Sequence, residues 1–231
     1  MEIAMNFLTK AALTGIMSAC GLAALPAHAA ILTSYSNTTY GEFDSTSGNR
    51  SVTVTAADVA PGAGTLLDVN ITVEFSKCGE TNIGPSGSAC VDGSFSYNEE
   101  IVFRLTSPNG TIIFLVEEGT FGGQEPGAGR LSITFDDEAL DPVGGSEIIA
   151  GSFIPVQALS AFDGESAIGE WVLTLEDTVP GDPLEFFGYT LSLTTDEIFA
   201  AVPEPITFSL LGAGMAAMAV ARRRRALPHT H

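Results

Sequence analysis

Between residues 31 and 200 apolar side chains recur at every second position, and the three-to-four spacing of an amphipathic helix is nearly absent. Leu67–Phe75 puts Val69, Ile71, Val73 and Phe75 on one face of an extended segment, and Ser51–Thr55 alternates in the same way. Glu100–Thr106 turns Ile101, Phe103 and Leu105 to one side and Val102 and Arg104 to the other. Ser107-Pro108-Asn109-Gly110 follows, and Thr111–Val116 starts a second strand, so the pair reads as a hairpin. Leu131–Phe135, Glu170–Glu176 and Gly188–Thr194 complete the series, the last two carrying Trp171, Leu173, Leu175 and Tyr189, Leu191, Leu193 inward. Gly- and Pro-rich stretches at Gly119–Gly129 and Asp141–Gly145 separate them. Many short strands joined by such turns predict an all-β fold, an antiparallel β-sandwich of jelly-roll type. Trp171 in an alternating strand reads as core rather than as a platform for a sugar ring. Adjacent Phe186 and Phe187 predict one ring that faces outward or packs under a loop, and are candidates for a ligand contact.

The two ends break the pattern with continuous apolar runs. Lys10 precedes Ala11–Leu25, then Pro26 and Ala27-His28-Ala29 form a small-x-small site, so residues 1–29 read as a signal peptide cut between Ala29 and Ala30. Met5 serves as an initiator as well as Met1 does. Ser18-Ala19-Cys20 is similar to the end of a lipobox, but Met17 is a poor residue three before the cysteine. At the other end Val202-Pro203-Glu204-Pro205 is followed by the apolar run Ile206–Ala221 and by Arg222, Arg223, Arg224 and Arg225. Sixteen helical residues span about 24 Å, a little short of a hydrocarbon core, and four arginines are a strong cytoplasmic stop-transfer signal, so the run reads as one short transmembrane helix. This tail, residues 201–225, resembles the PEP-CTERM sorting signal, with Pro203-Glu204-Pro205 in the motif position. The resemblance implies an exosortase-type membrane protease as processing partner. It also implies a protein held transiently in the inner membrane and delivered to the envelope, cell surface or extracellular matrix.

Composition narrows what the exported part, Ala30 to about residue 200, can do. All but Glu2 and Glu204 of the 28 acidic residues lie there, against Arg50, Lys77, Arg104 and Arg130, leaving a formal charge of −22. That field argues against nucleic acid and anionic membrane surfaces and suits solubility, divalent cations or basic partners. Cys78 and Cys90 are an even pair in an oxidising compartment and predict a disulfide, which would pin Cys78–Ser96 as a loop insertion between two strands. A metal site on two thiolates needs further thiolates or histidines. His28, His229 and His231 all lie outside the exported part, which excludes Ser-His-Asp, Cys-His and His-zinc chemistry within it.

LDVNITVEF at Leu67–Phe75, EIVFRLTSPNGTIIFL at Glu100–Leu115 and ITFDDEA at Ile133–Ala139 occur in that order. LSAFDGESAIGEWVLTLEDTVPGD at Leu159–Asp182 and LEFFGYTLSLTT at Leu184–Thr195 follow. Together they resemble the P domain (homo B domain) that follows the protease in kexin- and furin-like subtilases, over roughly residues 50–195. The resemblance implies a jelly-roll sandwich. No subtilisin-like segment stands before it in this sequence, and the Cys78–Cys90 insertion departs from the family pattern, so a role in stabilising a neighbouring protease does not carry over in cis.

The resemblance also implies structural calcium, because some bacterial P-like jelly rolls bind it. It carries onto Asp136 and Asp137 of the FDDEA loop and onto Asp177, with Asp163 and Glu165 as further candidates. Calcium takes six to eight oxygens from such loops, but no EF-hand spacing is present, and solvated acidic loops are the alternative. No organic cofactor is expected. The function expected is a non-enzymatic interaction module, acting on extracellular polysaccharide, another surface protein or a secreted protease. Two further readings stay open: a jelly-roll glycoside hydrolase working through two carboxylates, and a matrix protein bridged by calcium.

Overall fold

A computed structural model describes residues 28–59, 64–80, 82–91 and 95–198. The signal peptide (residues 1–27 of it), the sorting motif, the apolar run 206–221 and the arginines lie outside the described residues. No helix among the described residues is long and apolar enough to cross a membrane.

The described chain is all-β. In chain order the strands are β1 (His28–Asn37), β2 (Gly41–Phe43), β3 (Thr46–Val54) and β4 (Leu66–Lys77). Then come β5 (Phe95–Ser96), β6 (Ile101–Thr106), β7 (Ile112–Val116) and β8 (Glu125–Pro126). The last four are β9 (Ala128–Phe135), β10 (Gly151–Phe153), β11 (Gly169–Asp177) and β12 (Leu184–Ile198). One sheet runs β1-β12-β4-β9-β10, with β2 also on β12, and a second runs β3-β11-β6-β7. All pairs are antiparallel except β10 on β9. Counting only the eight long strands in chain order, the sheets read 1-8-3-6 and 2-7-4-5.

Alternation explains the core. Val69, Ile71, Val73 and Phe75 of β4, with Leu191 and Leu193 of β12, pack against Phe103 and Leu105 of β6 and Trp171, Leu173 and Leu175 of β11. Phe75 and Phe103 meet edge to face across the sheets, 5.0 Å between centroids. Trp171 is fully buried, donates its indole N–H to the Ala167 carbonyl at 3.0 Å and packs on Phe162, so it is core as expected. The Ser107–Gly110 hairpin forms as expected, with Gly110 at φ +88° in a conformation only glycine takes easily.

Three expectations need correction. Phe187 packs under a loop, as expected of one of the pair, against Tyr40 and the Arg130 guanidinium, but with a bulge between Phe186 and Gly188 both rings are buried. They are not open to a ligand. The sequence offers Thr195–Val202 as a short stalk leading to the sorting motif, but β12 stays paired with β1 as far as Ile198. Gly119–Gly129 was expected as a loop, yet it contains β8 and the start of β9.

Candidate functional site

Period two carries one position further on two strands and brings opposite charges together. Lys77 follows Phe75 on the inward face of β4, and Asp177 follows Leu175 on the inward face of β11, in the other sheet. Neither can reach solvent, so they must meet. Lys77 Nζ lies 2.7 Å from Asp177, 3.1 Å from Asp182 and 3.2 Å from Glu100, and also donates to the Asp182 carbonyl. The ammonium is fully buried. Glu100 comes from a 3-10 turn, Asn98–Glu100, just before β6, and Asp182 from the loop between β11 and β12. One lysine therefore ties the two sheets and two loops together at one end of the sandwich.

Three carboxylates on one ammonium leave a surplus of negative charge. Burial opposes the charge on Lys77, but the hydrogen bond and charge of Asp177 and then the charge of Asp182 outweigh it and hold its pKa above the ordinary lysine value. Asp182 has further donors in Ser96 Oγ, at 2.8 Å, and the Tyr97 amide. Glu100 has the longest contact and no other donor to its carboxylate among the described residues. Burial lifts its pKa to about 7, against the opposing pull of Lys77.

The insertion beside this cluster is fixed twice. The Cys78–Cys90 disulfide forms as expected, with Cα atoms 5.4 Å apart. Glu185, wholly buried on β12, accepts from the amides of Ile83 at 2.8 Å and Gly84 at 2.7 Å, from Ser76 Oγ at 2.9 Å and from the Tyr40 hydroxyl at 2.6 Å. The loop lies so close on β9 that a Cβ on Gly129 would stand 2.8 Å from Ala89 Cα and from the Ser88 carbonyl.

Over this end opens a cleft of about 490 Å³, lined by Glu80, Phe95, Tyr97, Glu100, Gln124, Asp182 and the Val179–Gly181 turn. Phe95 and Tyr97 flank the buried Ser96 and stand 68% and 42% exposed. Gln124 donates to the Tyr97 hydroxyl at 2.8 Å and holds a left-handed backbone at φ +50°, a strained conformation for a residue with a side chain. Among the described residues no basic side chain lines the cleft.

Of the five carboxylates proposed for calcium, Asp136, Asp137 and Asp163 lie near one another around Asp68, whereas Asp177 and Glu165 are engaged elsewhere. Asp177 belongs to the lysine cluster. Glu165 accepts from Ser107 Oγ at 2.6 Å and from Thr111 Oγ1, and so anchors the β6–β7 hairpin. Asp137 accepts the amides of Leu159 and Ser160 at 2.9 and 2.8 Å, and Asp136 accepts the Glu138 amide at 2.8 Å. Asp163 has its pKa raised by burial and then by the charges of Asp68 and Asp137. Among the described residues no group of three or more carboxylate, histidine or cysteine side chains is already gathered as a metal site. Asp182 stands out in the sequence only as one of the acids flanking the Trp171 strand, with Asp163, Glu165 and Asp177, and Lys77, Glu100 and Glu185 were not singled out for the site; the inward register of Lys77 and Asp177 was the available signal.

Fold and tail together define an exported β-sandwich carrying a sorting signal. Residues 88–193 match the proprotein convertase P-domain, and residues 201–225 match the PEP-CTERM protein-sorting motif. The chain thus pairs a P-domain with a PEP-CTERM motif, which implies export, transient membrane anchoring and processing by an exosortase-type system. Among solved structures it is similar to a serine protease of Aeromonas sobria, at 14% identity over 74% of this chain and 27% of that one, TM-score 0.39. A complex of the same protease with its chaperone matches at 13% identity over 72% and 27%, TM-score 0.34. The chain spans about a quarter of those proteins. No curated protein matches it.

Proposed function

We propose that this protein is a non-enzymatic interaction module of the cell surface or extracellular matrix, delivered by its sorting signal, with the cleft over the lysine cluster as its binding end. The strand order supports reading the sandwich as a jelly roll, a fold that presents its loops at the ends of two sheets. The observation that carries the proposal is the pairing of Lys77 with all three carboxylates at that end. Such a cluster is built to hold loops rigid. A pair of catalytic acids needs one carboxylate free to attack or to accept a proton. The exposed rings beside it supply contact area for a ligand in extracellular polysaccharide or on a surface protein.

One observation favours a hydrolase instead. Glu100, with a pKa of about 7, and Asp182 both border the cleft, and an acid protonated near neutral pH suits a general acid. The two readings separate in one assay: full-length protein incubated with matrix polysaccharide from the producing cells at pH 5 and 7, with retention and new reducing ends both measured. Retention without new ends is expected. Catalytic release of reducing ends, abolished by Glu100→Gln, would overturn the binding reading.

A further inference from the structure

Resting on the reading of this cleft as a binding end, we infer that it takes an amino-sugar polymer whose amines are free and protonated. The acids at the opening are Glu80, Glu100 and Asp182. Behind them Asp177 already has Lys77 at 2.7 Å, so that one ammonium leaves the neighbourhood negative. The other three basic residues of the described chain are engaged elsewhere. Arg50 donates to the Thr39, Asn49 and Tyr40 carbonyls, Arg104 pairs with Glu176 and Arg130 with Glu74. Lys77 offsets one of these charges and no other cation lies at the cleft among the described residues, so the field there stays negative and concentrates cationic ligands.

Charge alone would serve any cation, and the aromatic rings narrow the choice. Phe95 and Tyr97 present open faces at the rim, which attract an ammonium and pack on the C–H face of a saturated ring. The Tyr97 hydroxyl accepts from Gln124, which fixes the ring and leaves its own proton for a ligand oxygen. An amino sugar offers an ammonium, a flat apolar face and hydroxyl oxygens within one unit. A metal ion would make no use of the rings, and a neutral sugar none of the surplus acid. N-acetylation removes the charge and leaves the ring.

The test is calorimetric titration of the full-length protein in detergent with glucosamine hexamers, N-acetylglucosamine hexamers, glucose hexamers and lysine hexapeptide. Glucosamine hexamers are expected to bind at least about tenfold more tightly than the other three, with affinity falling as salt rises. Phe95→Ala and Glu80→Gln are each expected to weaken binding about tenfold with the melting temperature unchanged, since both side chains are at the open rim. Equal binding of the acetylated hexamer, equal binding of lysine hexapeptide, or indifference to both substitutions would each overturn the inference. Failure of glucosamine hexamers while matrix polysaccharide is still retained refutes this ligand class alone; loss of retention altogether refutes the binding reading beneath it.

Discussion

Replacing Lys77 with methionine keeps the length and the apolar stem of the side chain and removes the ammonium shared by Asp177, Glu100 and Asp182. Removing one partner of a buried ion pair costs about 3–5 kcal/mol, because the other charge stays buried without compensation. Here the nitrogen is fully buried and three acceptors face it at 2.7–3.2 Å, which argues for the upper part of that range. In a domain of this size such a loss lowers the melting temperature by roughly 8–20 °C. The pH dependence identifies the cause. Without the cation the folded-state pKa values of the carboxylates rise further, beyond the burial shift Asp177 and Glu100 already show, so the variant binds more protons on folding and loses stability more steeply as pH rises. The gap between wild type and Lys77→Met is therefore expected to be small near pH 4 and to widen toward pH 8. Thermal melts by circular dichroism across that range measure it. A loss below about 1 kcal/mol, or one independent of pH, would refute the view that the Lys77 charge holds this end of the sandwich together.

Glu100, with its folded pKa lifted from an ordinary 4.5 to about 7, is protonated in the folded state and ionised in the unfolded chain between those values. It therefore removes stability as pH rises through that window, by at most about 3 kcal/mol, and Glu100→Gln should flatten the slope in a pH series of melts. Glu185→Gln turns an acceptor of four donors into a group with two donors of its own, and should cost about 2–3 kcal/mol by denaturant melts, with faster amide exchange at Ile83 and Gly84. Gly129→Ala should displace the disulfide loop and cost about 1–3 kcal/mol, because its methyl would meet backbone rather than a flexible side chain; a neutral result would show that the loop stands farther off.

Seven of the eight long strands were legible because burial alternates along them; β1, which has no buried residue between Ala30 and Asn37 to mark it, was not. The alternate residues from Val69 to Phe75, Trp171 to Leu175 and Tyr189 to Leu193 are in the core. The short strands β2, β5, β8 and β10, two or three residues each, have too few positions for a period to register. Phe187 escaped because a bulge resets the register within one strand. The candidate site was legible only in part. The disulfide followed from cysteine count and compartment, whereas the acids were carried over from the P-domain resemblance. Of these, Asp136 and Asp137 accept backbone amides in their loop. The cluster that organises the end of the fold draws one residue from each of four places in the chain. Its mark was a lysine and an aspartate in core register on facing strands, where an ionic side chain has no low-energy alternative to pairing.

Retention on matrix polysaccharide, compared between wild type and the Phe95→Ala/Tyr97→Ala double variant, tests the binding end most directly. Loss of retention at least about tenfold with an unchanged melting temperature is expected, because both rings are exposed and neither belongs to the buried core. Equal retention by the two proteins would contradict the assignment of this cleft and move the binding surface elsewhere on the sandwich.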